Sequence, residues 1–393
     1  MPRRPSRTTD PVKGKIRPRQ ARAAADPEAE KFAFIIHPLD TGHITRKYRF
    51  AGKVPKKLVA WTLKHKRPWA VSEITGIVSK TGKRAVGWFI VVPLLPSQIL
   101  DLKEKFVVKK IIKGTEVATK LGAGIVGLGA FTALVGGGGK KIAAASDIAV
   151  TTGNTYTVAT AIEGARKAAA IMDIDFPKAT VAVVGATGSI GKIAAIILAR
   201  EAGRTYLVGR NRARLKAVKD EIESSRNSEP AEGGLGKLIV TTNVAEAVRA
   251  ADVIVTATSA VEDIIDPADI KPGAVVCDVA RPRDVAERVA EARRDVLVID
   301  GGVVKVPGRV DFGFDIGLPK GLSLACMAET MILALEGRYE DYTVGREISI
   351  AQVREMTEMA NRHGFELAGL RSFEKALSEE AIARIKKNAA LAK

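Results

Sequence analysis

A glycine-rich loop between a strand and a helix restricts the fold of this chain more than any other sequence feature. Gly185, Gly188 and Gly191 follow the apolar segment 181–184 and open a predicted helix at 192–202, with a second strand predicted at 205–208. Strand, glycine loop, helix and strand form a β-α-β unit in which the helix N-terminus faces a negative charge. The spacing G-x-x-G-x-x-G is a variant of the dinucleotide-binding fingerprint, so this loop is predicted to bind a pyrophosphate.

The end of the second strand indicates which dinucleotide is bound. Sites for NAD usually carry Asp or Glu there, to hold the ribose 2′-hydroxyl. This chain has Gly209-Arg210-Asn211-Arg212 instead, and Arg210 offers charge-assisted hydrogen bonds to a 2′-phosphate. NADPH is therefore the predicted cofactor. The predicted cofactor contacts are Gly185, Ala186, Thr187, Gly188, Ser189, Ile190, Gly191, Arg210, Asn211, Thr256, Ala257, Thr258 and Ser259.

Alternation of strands and helices around this unit predicts an α/β fold with a Rossmann-like, doubly wound parallel sheet. Further strands are predicted at 237–241, 252–257, 274–279 and 296–299, with helical or loop segments at 211–225, 244–250 and 284–292. Before it, a strand from Phe32, a hairpin of strands 71–80 and 85–92, a helix at 97–121 and a strand near 124–135 predict an N-terminal α/β domain. Helices are predicted at 322–336, 349–363 and 373–391.

The predicted organisation is a basic arm at 1–30, an α/β substrate domain at 31–150, a nucleotide-binding domain at 151–320 and C-terminal helices at 321–393. Residues 1–25 carry eight basic side chains against Asp10, contain four prolines and have few apolar residues, so we expect a disordered tail. Such an arm suits nucleic acid, an anionic membrane or an acidic protein; a solvated tail without a specific role is the alternative. The whole chain has a formal charge of +18.

The uncharged stretch 121–139 contains eight glycines, which favours a buried strand and a glycine loop over a transmembrane helix. No transmembrane span is therefore predicted, and peripheral membrane contact stays open. The chain has two cysteines and does not open with a secretory leader pattern, so the expectation is a cytoplasmic protein with both thiols reduced.

The two cysteines are predicted to have different roles. Cys277 lies in an apolar strand and is expected to pack in the core. If Ser323 caps the helix at 322–336, Cys326 falls in its first turn, where the positive end of the helix dipole stabilises a thiolate. Helical spacing places Cys326 beside Leu322, Glu329 and Leu333, a mixed face that suits the wall of a cleft.

Several motifs together resemble the long-chain acyl-[acyl-carrier-protein] reductases of cyanobacteria and their relatives, over residues 32–368. They are TTGNT at 151–155, KATVAVVGATGSIG at 178–191, Gly209-Arg210-Asn211, Asp300-Gly301-Gly302, LACMAETM at 324–331 and HGF at 363–365. The segment 277–284 is more similar to glutamyl-tRNA reductases, whose fold relatives include shikimate dehydrogenase.

The resemblance implies NADPH-dependent reduction of a fatty acyl thioester, on acyl carrier protein or coenzyme A, to a fatty aldehyde. Cys326 matches the family's catalytic cysteine, so it is expected to form the acyl-enzyme. Asn154, or backbone amides at the start of the 322–336 helix, are candidates to stabilise the oxyanion, and His37 or His363 to act as general acid. A fatty-aldehyde-consuming enzyme is a further expected partner; no specific nucleic acid is. The alternatives are another NADP-dependent oxidoreductase of the glutamyl-tRNA reductase and shikimate dehydrogenase group, or a non-enzymatic NADP-binding protein.

Overall fold

The computed structural model describes residues 26–38, 55–224, 235–258, 264–280, 283–285 and 287–392. The basic segment 1–25 and Ser259 lie outside the described residues. Folded structure begins slightly earlier than expected, because Ala29 is already buried and Arg84 forms an ion pair with Asp26 at 3.1 Å.

The first sheet is mixed and has six strands. Five come from the N-terminal part of the chain: β1 (Glu30–Ile36), β2 (Trp69–Val78), β3 (Arg84–Val91), β4 (Ile125–Leu128) and β5 (Ala149–Thr151). The sixth, β13 (Gly308–Asp311), arrives much later in the chain, and the strand order is β13-β2-β3-β1-β4-β5. Strands β3, β1, β4 and β5 run parallel, so their carboxyl ends share one edge of the sheet. The predicted hairpin is the antiparallel pair β2 and β3.

Three helices accompany this sheet: α1 (Lys56–His65), α2 (Pro96–Asp101) and α3 (Glu104–Lys120). The prediction of a single helix at 97–121 is wrong, because Leu102 has an extended backbone and Lys103 a non-helical one, and the two residues separate α2 from α3. The strand predicted near 124–135 ends at Leu128. A short 3-10 turn at Ala130–Ala133 follows, and then Gly136 to Gly139 all take left-handed backbone angles, which no strand accommodates.

The second sheet is the predicted doubly wound parallel sheet. Its strands are β6 (Thr180–Val184), β7 (Arg204–Val208), β8 (Lys237–Thr241), β9 (Val253–Thr256), β10 (Val275–Asp278) and β11 (Leu297–Asp300), in the order β11-β10-β9-β6-β7-β8. Helices α4 (Asn154–Ile171), α5 (Ser189–Leu198) and α6 (Arg212–Ser224) pack on one face; α7 (Val244–Ala250) and α8 (Glu287–Ala292) pack on the other. The Rossmann-like α/β fold is therefore confirmed.

The chain returns to the first sheet after β11. It forms β12 (Val303–Lys305), β13 and β14 (Leu322–Leu324), then α9 (Ala325–Glu336) and α10 (Ile350–His363). Two short strand segments follow β15 (Glu366–Leu367), namely β16 (Arg371–Ser372) and β17 (Lys375–Ala376), before α11 (Glu379–Leu391). The domain boundaries at 150 and 320 stay a prediction, and β13 joins the first sheet before residue 320.

Two predicted helix starts are wrong. Ser323 does not cap α9, because it belongs to β14 and pairs there with Val304 of β12. Leu324 takes the N-cap position. The last helix begins at Glu379 rather than near 373, since 371–376 forms a hairpin and Ser378 caps α11. Among the described residues, no helix is long and apolar enough to cross a membrane.

Candidate functional site

The glycine loop after β6 makes a close turn beneath the start of α5. Gly185 has φ +91°, and a Cβ atom built on Gly191 would lie 2.2 Å from the Gly185 carbonyl oxygen. A side chain at Gly191 would therefore force the helix away from the loop, and Gly185 has a left-handed backbone that favours glycine. Gly188, at the N-cap of α5, has an exposed backbone and no side-chain cap. This cradle fits a dinucleotide pyrophosphate, which residues 185–191 would hold on the N-terminal amides of α5.

The loop lies where the order of the second sheet reverses, which is where ligands bind in open α/β sheets. β6 pairs with β7 on one side and with β9 on the other. The Gly185 N–H donates to the Val208 carbonyl at 2.9 Å, and a Cβ on Gly185 would be 2.5 Å from the Ala257 carbonyl oxygen. The carboxyl ends of β6, β7 and β9 therefore meet at the glycine loop.

Arg210 and Asn211, which follow β7, are both exposed. The Asn211 Oδ1 accepts a hydrogen bond from the Arg214 N–H at 3.0 Å, so this side chain caps α6. Arg210 lies beyond the carboxyl end of β7, at the same edge of the sheet as the glycine loop.

Two carboxylates that sequence reasoning missed hold the end of β9. The Thr256 hydroxyl donates to Asp278 at 3.0 Å, and the Thr258 N–H donates to Asp284 at 2.9 Å. Burial raises the pKa of Asp284, while the hydrogen bonds from Thr258 act to lower it. Asp278 and Asp284 flank the 279–283 segment directly after β10, and acids at a strand end are the signal that could have identified them.

Cys326 lies in the first turn of α9 and is partly exposed. It packs against the turn before α4: a Cβ on Gly153, which has φ +75°, would lie 2.3 Å from the Cys326 Cα. The next residue, Asn154, donates from its side-chain Nδ2 to the Ser189 Oγ at 3.2 Å. The TTGNT segment therefore connects the turn carrying the thiol with the first turn of the nucleotide-binding helix.

Glu329, one turn after Cys326, is fully buried rather than at a cleft wall. Its carboxylate accepts hydrogen bonds from the Thr151 hydroxyl at 2.5 Å, the Thr343 hydroxyl at 2.8 Å and the Tyr156 N–H at 2.8 Å. The Thr155 N–H also donates to it. Burial raises the pKa of Glu329, and these hydrogen bonds oppose the increase. An acid in the middle of a largely apolar helix was the available signal for this role.

His37 lies at the carboxyl end of β1, and its ring contacts Phe131 edge-on at 5.7 Å between centroids. Nδ1 lies 3.1 Å from the Pro38 carbonyl oxygen, which can only accept, so the proton is on Nδ1. The buried Nε2 has no hydrogen-bond partner among the described residues, and burial lowers the pKa of His37. A neutral imidazole with a lone pair on Nε2 suits a proton acceptor better than the general acid that the sequence suggests.

The second histidine, His363, and the second cysteine, Cys277, lie away from the α9 turn that carries Cys326. His363 is buried at the end of α10, where it contacts the Ser79 Oγ at 2.7 Å and Glu336 at 3.0 Å; Glu336 ends α9, at the opposite end from Cys326. Cys277 is fully buried, with its Sγ 3.6 Å from the Ala161 carbonyl oxygen. Its predicted place in the core is what the structure shows.

Comparison with known protein families and sequences adds three findings. A family model described as shikimate / quinate 5-dehydrogenase matches residues 166–300. Aminotransferase PigE of Serratia sp. is 30% identical over 367 residues, covering 91% of this chain but 42% of PigE, so the chain spans less than half of that relative. The long-chain acyl-[acyl-carrier-protein] reductase of Synechococcus elongatus is 31% identical over 314 residues, covering 76% of this chain and 87% of the reductase.

Among solved structures, shikimate 5-dehydrogenase from Listeria monocytogenes in complex with shikimate and NAD aligns over 85% of this chain and 97% of its own. The sequence identity is 12% and the TM-score is 0.37.

Proposed function

Because this chain belongs to the family that includes the long-chain acyl-[acyl-carrier-protein] reductase of Synechococcus elongatus, we propose that it reduces a long-chain fatty acyl thioester to the aldehyde with NADPH. The chain is an NAD(P)-dependent oxidoreductase. The proposal extends this to one substrate class, a thioester of acyl carrier protein or of coenzyme A, and to NADPH, for which Arg210 offers a contact to the 2′-phosphate.

The observation that carries the proposal is the packing of Cys326 against Gly153. The partly exposed Cys326 contacts Gly153, and the next residue in the chain is Asn154. The Asn154 amide donates a hydrogen bond to Ser189 at the start of α5. One short segment thus contacts both the nucleophile and the nucleotide-binding helix. Transfer of a cofactor hydride to a covalently held acyl group requires these two parts of the site to be held together.

In the proposed reaction the Cys326 sulfur attacks the thioester carbonyl carbon. A carbon–sulfur bond to Cys326 forms as the Cys326 thiol loses its proton, the bond between the acyl carbon and the carrier sulfur breaks, and the carrier sulfur takes up a proton and leaves as a thiol. When bound, NADPH supplies the hydride that converts the acyl carbon to the aldehyde oxidation level. The carbon–sulfur bond to Cys326 then breaks, which releases the aldehyde and a Cys326 thiolate, and the thiolate takes up one proton from solvent to regenerate the thiol.

The chain's own residues orient these steps. Backbone amides in the first turn of α9, together with the Asn154 amide, are proposed to stabilise the negative charge on the acyl oxygen, an effect typically worth about 3 kcal/mol per donor. His37 is proposed to accept, through Nε2, the proton that the Cys326 thiol loses. Glu329 holds α9 against the α4 turn and therefore fixes the position of Cys326.

The test is aldehyde formation by the full chain, supplied with NADPH and a palmitoyl thioester of acyl carrier protein or coenzyme A. Cys326→Ala is expected to abolish aldehyde and to prevent radiolabelled acyl transfer to the protein. Cys277→Ala is the matched control, because that thiol is buried away from the site, and it should keep near wild-type turnover.

An undiminished aldehyde yield from Cys326→Ala would overturn the proposal. Turnover of a hydroxy-acid substrate that survives this substitution would instead favour the shikimate dehydrogenase-like alternative, in keeping with the family model over residues 166–300.

A further inference from the structure

We propose that a lysine-rich face formed by α1, α2 and the start of α3 binds the surface of an anionic lipid bilayer. The inference is independent of the proposed reaction. The face is defined by four exposed apolar side chains, Leu58, Trp61, Leu100 and Phe106, and by the basic residues among them, Lys57, Lys64, Lys66, Lys103, Lys105 and Lys109.

The apolar side chains of this face are unusually open to solvent. Trp61 is 61% exposed, Leu58 52%, Leu100 51% and Phe106 39%. Single exposed apolar side chains are ordinary on protein surfaces, but clusters of large ones mark sites of interaction.

Hydrogen bonds hold the three helices together as one surface. The Gln98 side chain donates to the Ala60 carbonyl at 2.9 Å and ties α2 to α1. The Lys110 ammonium donates to the Leu63 and Lys64 carbonyls and ties α3 to the end of α1. The Lys64 ammonium lies 5.7 Å from the centre of the Phe106 ring, so the apolar and basic side chains are interleaved.

Positive charge dominates the same segments. Residues 55–67 contain five basic side chains and no carboxylate, and residues 95–113 contain five lysines against Asp101 and Glu104. Glu104 is engaged by Lys141 at 2.7 Å. Burial lowers the pKa of Lys110 to about 8, and the nearby charges of Lys113 and Lys64 add to this effect.

The combination favours a lipid surface over an acidic protein. Helices that lie in the membrane interface carry Trp, Phe and Leu beside Lys and Arg; the apolar groups enter the headgroup boundary and the cations meet anionic lipids. An acidic protein would neutralise the lysines, but it would need a shaped pocket for each projecting apolar side chain. A bilayer accommodates such side chains without matched shape.

The face also has a defined orientation relative to the candidate site. α2 follows the carboxyl end of β3, and Trp69, just after α1, pairs with Val91 at that end. Gly153 follows β5 at the same edge of the first sheet. Bound through this face, the molecule would therefore turn the edge that carries the Cys326 turn toward the bilayer.

The test is co-sedimentation of the full chain with vesicles of phosphatidylcholine alone or mixed with phosphatidylglycerol. We expect binding to the mixed vesicles, weakened by added salt, and little binding to the neutral ones. Trp61→Ala and Phe106→Ala should each weaken binding by about tenfold, the loss expected when one large apolar side chain is no longer buried. Leu391→Ala is the matched control, since Leu391 is 78% exposed on α11, and it should bind like wild type.

A depth measurement separates insertion from loose charge attraction. Brominated lipids should quench the tryptophan fluorescence of Trp69→Phe, and the double variant that also carries Trp61→Phe should lose this quenching, because the remaining Trp88 is fully buried. Binding that is unaffected by Trp61→Ala and Phe106→Ala but lost on deletion of residues 1–25 would overturn the proposal in favour of the basic arm. Trp61-dependent binding of an acidic acyl carrier protein, without binding to vesicles, would also overturn it.

Discussion

The buried carboxylate of Glu329 gives the sharpest test of how the site is held together. Replacement by alanine leaves the Tyr156 and Thr155 N–H groups without their acceptor, and a buried unsatisfied donor costs about 1–3 kcal/mol. The loss for both donors, with the void that remains, is expected to lower the free energy of unfolding by about 4 kcal/mol. Urea denaturation followed by circular dichroism measures it.

Glutamine at the same position should be tolerated much better. Its amide oxygen can accept from the Tyr156 N–H while its NH₂ group donates to the Thr151 and Thr343 hydroxyls, so the expected loss is about 1 kcal/mol. Glu358→Ala, on the exposed face of α10, is the control and should stay within about 0.5 kcal/mol of wild type. The reasoning fails if Glu329→Ala costs under about 1 kcal/mol, or if glutamine is as damaging as alanine.

The raised pKa of Glu329 also predicts how the stability of these variants depends on pH. Burial raises the pKa of Glu329 above its ordinary 4.5, so the folded chain retains a proton that the unfolded chain has released. The free energy of unfolding contributed by this group therefore falls as the pH rises above 4.5. Glutamine does not titrate, so Glu329→Gln should gain stability relative to wild type over that range. An unchanged difference would show that Glu329 does not have the raised pKa.

Three further outcomes follow from the geometry. Gly153→Ala should lower the free energy of unfolding by at least about 2 kcal/mol and should also lower the rate of Cys326 alkylation. The reason is that the new methyl group overlaps the α9 backbone, at a residue with a left-handed φ. An unchanged alkylation rate would contradict the contact between Gly153 and Cys326. Arg210→Asp should shift the ratio of kcat/KM for NADPH over NADH toward NADH, and an unchanged ratio would remove Arg210 from the cofactor site. Burial lowers the pKa of His363 below 6.5, so stability should fall as the pH drops below 6.5, and His363→Gln should lose that part of the pH dependence in denaturation curves.

The second sheet was largely predictable, because each parallel strand is a short apolar run and Gly185 to Gly191 mark the crossover. The break between α2 and α3 was not predictable, since the apolar spacing continues across Leu102 and Lys103 although the helical backbone is interrupted there. β14 was hidden for a related reason: Ser323 resembles a helix cap in sequence, but pairing with Val304 decides its conformation.

The candidate site was predictable in part. The glycine loop and the turn position of Cys326 follow from local sequence. The contact of Cys326 with Gly153, and the bonds of Glu329 to Thr151 and Thr343, join residues far apart in the chain, so spacing does not reveal them. The Pro38 carbonyl decides which nitrogen of His37 carries the proton, and no pattern encodes that.

The late return of the chain to the first sheet affects the order in which the protein can fold during synthesis. Phe32, Phe34 and Phe89 pack in the cluster that α9 completes, yet α9 is translated only after every strand of the second sheet. While the ribosome produces the intervening segment, that face of the first sheet has no cover and is open to aggregation or to a chaperone. The second sheet is continuous in sequence, so we expect it to become protected first, although it begins later in the chain.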